Sequence, residues 1–181
     1  MKTTKNLISM SLVLAGLLLP QLSNAQKISQ KSTNIKINGT STLHDWDMSS
    51  AQSTFTGNVS GNVITDVRFV MKAESLKSKE SAMDKNAYKA LQTSKYPELT
   101  FVSSSILASG TSTITGNLTI SNVTRTVKIP VTVTKNGASY IIKGNTKIKM
   151  SAFGIKPPTF MMGTIKTGDD LSIDININAT N

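Results

Sequence analysis

Between residues 127 and 133 an apolar side chain stands at every second position, Val127, Ile129, Val131 and Val133, set against Lys128, Thr132 and Thr134. The same rhythm recurs along the chain. Leu171, Ile173, Ile175 and Ile177 alternate with Ser172, Asp174, Asn176 and Asn178. Ile142, Gly144, Thr146, Ile148 and Met150 alternate with Lys143, Asn145, Lys147 and Lys149, and Val67, Phe69 and Met71 with Asp66, Arg68 and Lys72. Successive side chains on a strand point to opposite faces, so a period of two means strands with one apolar and one polar side. Past residue 30 the text is dominated by Thr, Ser, Val, Ile and Asn with Gly at short intervals, which is strand and turn chemistry.

Turn signals fall between these windows. Asn136-Gly137 predicts a tight hairpin of type I′, whose two central residues both need positive φ. Ser60-Gly61-Asn62, Ser109-Gly110-Thr111 and Gly168-Asp169-Asp170 are softer versions. Short strands joined by close turns predict an all-β closed antiparallel barrel or a sandwich, and closure is the more economical because it removes exposed edges. One segment breaks the pattern. Ser81 and Asp84 have capping-box spacing, Met83, Ala87 and Leu91 recur every fourth residue with Tyr88 beside them, and Pro97 closes the stretch. A single helix is expected from Glu80 to Thr93, lying across an opening of the barrel.

The first residues read as an address. Lys2 and Lys5 precede an apolar run from Leu7 to Pro20, and Ser23 and Ala25 supply the small side chains a signal peptidase needs. The run is short of the about 20 residues of a permanent membrane helix. Residues 1–25 are therefore expected to be a cleaved leader, and residues 26–181 one periplasmic or secreted domain. The chain has no cysteine, so neither disulfides nor thiolate metal sites can hold it together. Without Lys2 and Lys5 the basic residues fall from 20 to 18 against 10 acids, leaving a charge near +8. They are dispersed, which fits nucleic acid poorly. Attraction to an anionic membrane surface is one use for them, and solubility of the outer strand faces is another.

Catalytic constellations are scarce. His44 is the one histidine, and there is no Gly-x-Ser-x-Gly elbow, His-Glu-x-x-His or phosphate-cradling loop. In His44-Asp45-Trp46-Asp47 a strand would put His44 with Trp46 on one face and the two carboxylates on the other, so no metal site converges there. A structural histidine beside a buried tryptophan is the expected arrangement. Asp169-Asp170 is expected to serve only a turn. The stretch from Met150 to Ile165 gathers two prolines, two glycines, two phenylalanines and three methionines. Pro157-Pro158 cannot donate to a ladder, so the chain must leave the sheet there. Phe153, Ile155, Phe160, Met161 and Met162 then ride on a loop, where they plug the barrel, contact a ligand or meet a membrane.

From about Ser32 to Asn181 the chain resembles the YceI-like family of exported polyisoprenoid-binding proteins. The resemblance is carried by Gly39-Thr40-Ser41-Thr42-Leu43-His44-Asp45-Trp46, Lys95-Tyr96-Pro97-Glu98-Leu99-Thr100-Phe101, Gly116-Asn117-Leu118-Thr119-Ile120, Val123-Thr124-Arg125 and Phe153-Gly154-Ile155. Lys156-Pro157-Pro158 looks like a subgroup variant. The resemblance implies a lipocalin-like, eight-stranded antiparallel barrel with a helical insertion and an apolar lumen for a long isoprenoid such as a quinone tail. It transfers no catalytic residues and no cofactor; the guest would be an isoprenoid or acyl lipid held as ligand.

The expected lining is Trp46, Phe55, Phe69, Met71, Met83, Leu91, Phe101, Ile148, Met150, Phe153, Phe160 and Met161, drawn from the apolar phase of the strands, the helix and the loop. Three rivals stand beside this expectation of a non-enzymatic lipid carrier. One is a small outer-membrane barrel, since alternation does not say which face points inward; the few aromatics and the Asn178-Ala179-Thr180-Asn181 ending argue against it. The others are a hydrolytic enzyme using His44 and a structural or stress-related exported module with a filled barrel.

Overall fold

The computed structural model describes residues 25–181. The predicted leader up to Asn24 lies outside the described residues. The strands are β1 (Gln26–Ser41), β2 (Trp46–Ser50), β3 (Ser53–Ser60), β4 (Val63–Lys72), β5 (Glu98–Leu107), β6 (Gly110–Ile120), β7 (Val123–Asn136), β8 (Ser139–Lys149), β9 (Thr159–Phe160) and β10 (Ile165–Thr180); one helix, α1 (Ser81–Leu91), lies between β4 and β5. The sheet runs β1-β3-β4-β5-β6-β7-β8-β10, and β1 pairs back onto β10 to close it. β2 and β3 share one position in the wall: β2 pairs with the second half of β1 and β3 with its first four residues. The result is a closed eight-stranded antiparallel barrel with a single α-helix among the described residues.

The alternation read from the sequence sets what faces inward. Val67, Met71, Ile129, Val131, Val133, Ile142, Ile148 and Ile177 are buried, while Lys128, Thr132, Thr134, Lys143, Lys147 and Lys149 face water. The wall is apolar inside and polar outside, the reverse of a membrane-spanning barrel, whose apolar band faces outward.

The two ends of the barrel are built differently, and this places the site. At one end the connections are tight. Gly61-Asn62 and Gly137-Ala138 join paired strands as two-residue loops in which the glycine alone takes positive φ, +59° and +58°. That is the signature of type II′ rather than the expected type I′, because Asn136 pairs with Ser139 and belongs to the strand. Ser121-Asn122, a two-residue loop with positive φ at both positions and no glycine to announce it, lies at the opposite end under α1. The other connections at that end are longer: residues 42–45, the α1 segment, and residues 150–164.

Three irregularities tune the strands. Lys31 is an extra residue against β10, and Asp66 (φ +52°) with Val67 stands opposite Gly57, so that Ile64 and Val67 both point inward. Gly168-Asp169-Asp170, expected to be a turn, is instead a bulge inside β10 opposite Thr40.

α1 is shorter than expected at both ends. Its N-cap is Glu80, with no side-chain cap. The capping-box reading of Ser81 and Asp84 does not hold. The Asp84 carboxylate instead accepts from the Ser78 backbone N–H and hydroxyl, each at 2.7 Å, three residues before the helix. Gln92 ends the helix in the left-handed region (φ 53°, ψ 49°), and the Ser121 hydroxyl donates to the Leu91 carbonyl at 2.8 Å. Tyr88 turns from the stripe to the β4–α1 connector, its hydroxyl 2.8 Å from the Leu76 carbonyl. The helix is thus fastened over the open end at its start, middle and finish.

Candidate functional site

The inward side chains divide into two clusters along the barrel axis. At the tight-turn end Ile28, Phe55, Val59, Ile64, Phe101, Ile106, Ile114, Val133, Tyr140, Ile142, Ile177 and Ala179 are buried against one another. Phe69, Leu118, Val127 and Ile175 pack against this cluster and also against the one above it, so they form the boundary layer. Phe55, Phe69 and Phe101 are direct cross-strand partners on β3, β4 and β5, and Leu118 of β6 continues the row. Aromatic cross-strand pairs of this kind stabilise a sheet and here also close the lumen from below.

Above that layer lies a cavity of about 320 Å³. β1 and β2 supply Ile37, Trp46 and Met48; β8 and β10 supply Ile148, Leu171 and Ile173. α1 roofs it with Ala82, Met83, Asn86, Ala87, Ala90 and Leu91, and the 150–165 segment adds Met150, Phe153, Ile155, Pro158, Phe160 and Ile165. Polar groups are few: Ser41, His44, Glu80, Asn86 and Thr167. A concavity lined this way, with a few polar groups, is the usual form of a small-molecule site. A shallower hollow of about 440 Å³ on the outer wall, bordered by Asp66, Arg68, Val102, Ser103, Asn117 and Thr126, is wide open to water and cannot shield an apolar guest.

Of the twelve expected lining residues the structure brings seven together on the cavity: Trp46, Met83, Leu91, Ile148, Met150, Phe153 and Phe160. It places Phe55 and Phe101 in the lower cluster, Phe69 in the boundary layer and Met71 among the buried residues of the upper cluster, none of them on the cavity wall. Met161 points away from it and is 74% exposed. Small residues of α1, Ala82, Ala87 and Ala90, create much of the room, and nothing in their sequence setting distinguishes them from ordinary helix formers.

The 150–165 segment folds in two steps. Met150 N–H donates to Asp169 O at 2.9 Å; the chain then makes a single turn, Ser151–Phe153, and Gly154 reverses it at φ 70°. Asp169 holds that turn, accepting from the Ser151 hydroxyl at 2.6 Å and N–H at 2.8 Å, which keep its carboxyl below the usual range. Asp169 is therefore a fastening residue rather than mere turn chemistry. Arg125 Nε donates to the Ala152 carbonyl at 2.9 Å from the other side. Phe153 and Ile155 are buried by this fold, and the β9–β10 pairing of Phe160 with Ile165 carries the chain back across the mouth.

His44 and Asp45 lie in the β1–β2 loop rather than on a strand, and both are exposed. The His44 ring Nδ1 lies 2.7 Å from the Asp45 carbonyl, and its backbone is held by Ser41. Trp46 is half-buried, its Nε1 donating to the Thr40 carbonyl at 3.0 Å. No group of three or more metal-ligating side chains occurs among the described residues.

Comparison with known proteins gives one answer. The model of the YceI-like domain matches residues 23–179. A UPF0312 protein of Pseudomonas savastanoi pv. phaseolicola is 28% identical over 145 residues, covering 75% of this chain and 70% of that protein. Among solved structures, BcnA of Burkholderia cenocepacia superposes with a TM-score of 0.67 at 20% identity, covering 82% of this chain and 96% of its own. A polyisoprenoid binding domain from Saccharophagus degradans, described as implicated in plant cell wall breakdown, superposes with a TM-score of 0.68 at 11% identity, covering 84% and 97%. At such identities the two structures speak for the barrel alone.

Proposed function

Because the chain belongs to the YceI-like domain family and holds an apolar cavity open at one end, we propose that it binds the hydrophobic tail of a lipid, foremost an isoprenoid, and carries or sequesters it outside the cytoplasm. The observation that carries this reading is the cavity of about 320 Å³ between α1 and the Phe69 layer. Each CH₂-sized unit removed from water into such a space gains about 0.8 kcal/mol, so a few isoprene units suffice for useful affinity. The polar tips of Ser41, His44, Glu80 and Asn86 stand where a headgroup would meet water. The isoprenoid class is supported by the ligand named for the Saccharophagus domain. Export is supported by the basic, apolar and small-residue pattern of residues 1–25.

The role is binding rather than turnover. His44 sits on an exposed loop with its ring engaged by a backbone carbonyl, and among the described residues no acid–base side chain is hydrogen-bonded to it. A second reading, a structural exported module without a guest, draws on the packed lower half of the barrel. Native mass spectrometry of protein purified from its own cells, followed by lipid extraction, separates the two. An adduct that dissociates as a prenyl or acyl lipid supports the carrier; a bare mass, together with no uptake of a fluorescent prenyl probe, ends it.

A further inference from the structure

The three most exposed large apolar side chains among the described residues gather at one place. Leu43 is 65% exposed, Met161 74%, and Met162 fully so, whereas Val102 and Leu107 reach only 37% and 38%. Thr42 N donates to Lys166 O at 2.9 Å, and Thr42 Oγ1 donates to Thr164 O at 3.3 Å. These bonds tie the loop bearing Leu43 to the turn bearing Met161 and Met162. That place is the cavity mouth, because Leu43, Phe160 and Ile165 all line the cavity.

Met161 and Met162 also sit at φ +48° and +55°, the left-handed region that costs a side-chain-bearing residue free energy. No burial within this chain offsets that cost, since both side chains point into water. Exposed lysines belong to the segments that border the mouth: Lys156 and Lys166 flank the tip in the chain, Lys79 precedes α1, and Lys85 and Lys89 lie on α1 itself. Asp45 and Glu80 are exposed carboxylates bordering the same mouth, while Asp47 and Asp170, exposed at the same end, are paired with Lys36 and Lys149. An apolar wedge ringed by more lysines than acids is the surface that an anionic bilayer binds, through burial of the wedge and attraction to headgroups.

We infer that Leu43, Met161 and Met162 form a membrane-docking tip that seats the cavity mouth against an anionic phospholipid surface. Loading of the cavity would then proceed without the guest crossing water. That consequence rests on the lipid-binding reading above; the docking itself does not.

Flotation of the purified protein with phosphatidylcholine vesicles, with and without phosphatidylglycerol, tests it. The expected result is salt-sensitive binding to the anionic vesicles, lowered at least about tenfold in the Met161→Asp/Met162→Asp double variant. Aspartate tolerates the left-handed region better than methionine, so the fold should persist, which the near-UV signal of Trp46 checks. Leu43→Asp should act in the same direction. Undiminished binding in the double variant, or no binding by the native protein to either vesicle, overturns the proposal. So does a double variant that loses self-association but keeps vesicle binding, which would assign the tip to a second copy of the chain. Failure of the cargo reading is a different result: a protein that takes up no prenyl probe yet floats through Met161 and Met162 retains the docking surface.

Discussion

Asp84 and Ser78 face each other across the entrance to α1, the carboxylate accepting both the backbone N–H and the hydroxyl of the serine at 2.7 Å. The carboxylate is buried, and Lys77 Nζ lies 3.9 Å from its other oxygen. The pair clamps the connector to the roof of the cavity. Asp84→Ala should cost about 1–3 kcal/mol, since it removes charged hydrogen bonds and leaves buried donors unpaired. Asp84→Asn, which keeps an acceptor, should cost less. Urea unfolding gives the loss, and amide exchange should rise first in α1; a uniform change across the barrel would speak against a local clamp.

The same clamp makes the roof acid-sensitive. Burial pushes the Asp84 carboxyl up, but the Ser78 N–H, the Ser78 hydroxyl and Lys77 together hold it below the usual range. Asp169 is also lowered, by the Ser151 hydroxyl and N–H. A carboxyl with a lower value folded than unfolded stabilises fully above the unfolded value, about 3.9, and loses that contribution as pH falls through the folded one. Exchange in α1 and in residues 151–155, expressed relative to the intrinsic amide rate at each pH, should therefore be flat from neutral pH to about 5 and accelerate below about 4. Acceleration that already begins near pH 6 would assign the effect to another group.

How much of this was legible in the sequence follows from what alternation encodes. A period of two states which face of a strand a side chain occupies, and the inward set on β7, β8 and β10 was readable on that basis. It does not state height along the barrel. Phe101 and Ile148 are both inward, yet one stands beside Phe69 in the row that closes the lumen and the other on the cavity, because pairing and stagger set height. The bulges at Lys31, Asp66 and Gly168–Asp170 shift that register without a clear signal. The motif residues, by contrast, turn out to be packing contacts. A Cβ on Gly116 would stand 2.4 Å from the Phe101 ring, and one on Gly39 would stand 2.2 Å from Trp46.

The Gly39 contact yields a third prediction. Gly39→Ala must displace the indole, breaking its bond to Thr40 and distorting one wall of the cavity. A loss of about 1–3 kcal/mol is expected, as for other overpacked sites. Trp46 is the one tryptophan, so its emission should shift toward that of a wetter ring in the variant. An unchanged emission maximum and unchanged stability would mean that the ring has room to move.

The last prediction separates an empty cavity from a site that merely looks roomy. Ala87 lines the cavity from α1 and is only half-buried because space lies in front of it. Ala87→Phe would put a ring into that space. Filling a void commonly adds about 0.5–2 kcal/mol of stability. The variant should therefore resist urea slightly better than the native protein while losing most uptake of a prenyl probe. The two readouts move in opposite directions only if the space is both real and the place where a guest sits. Lower stability would mean that the barrel is already filled there, and full uptake with raised stability would place the guest elsewhere.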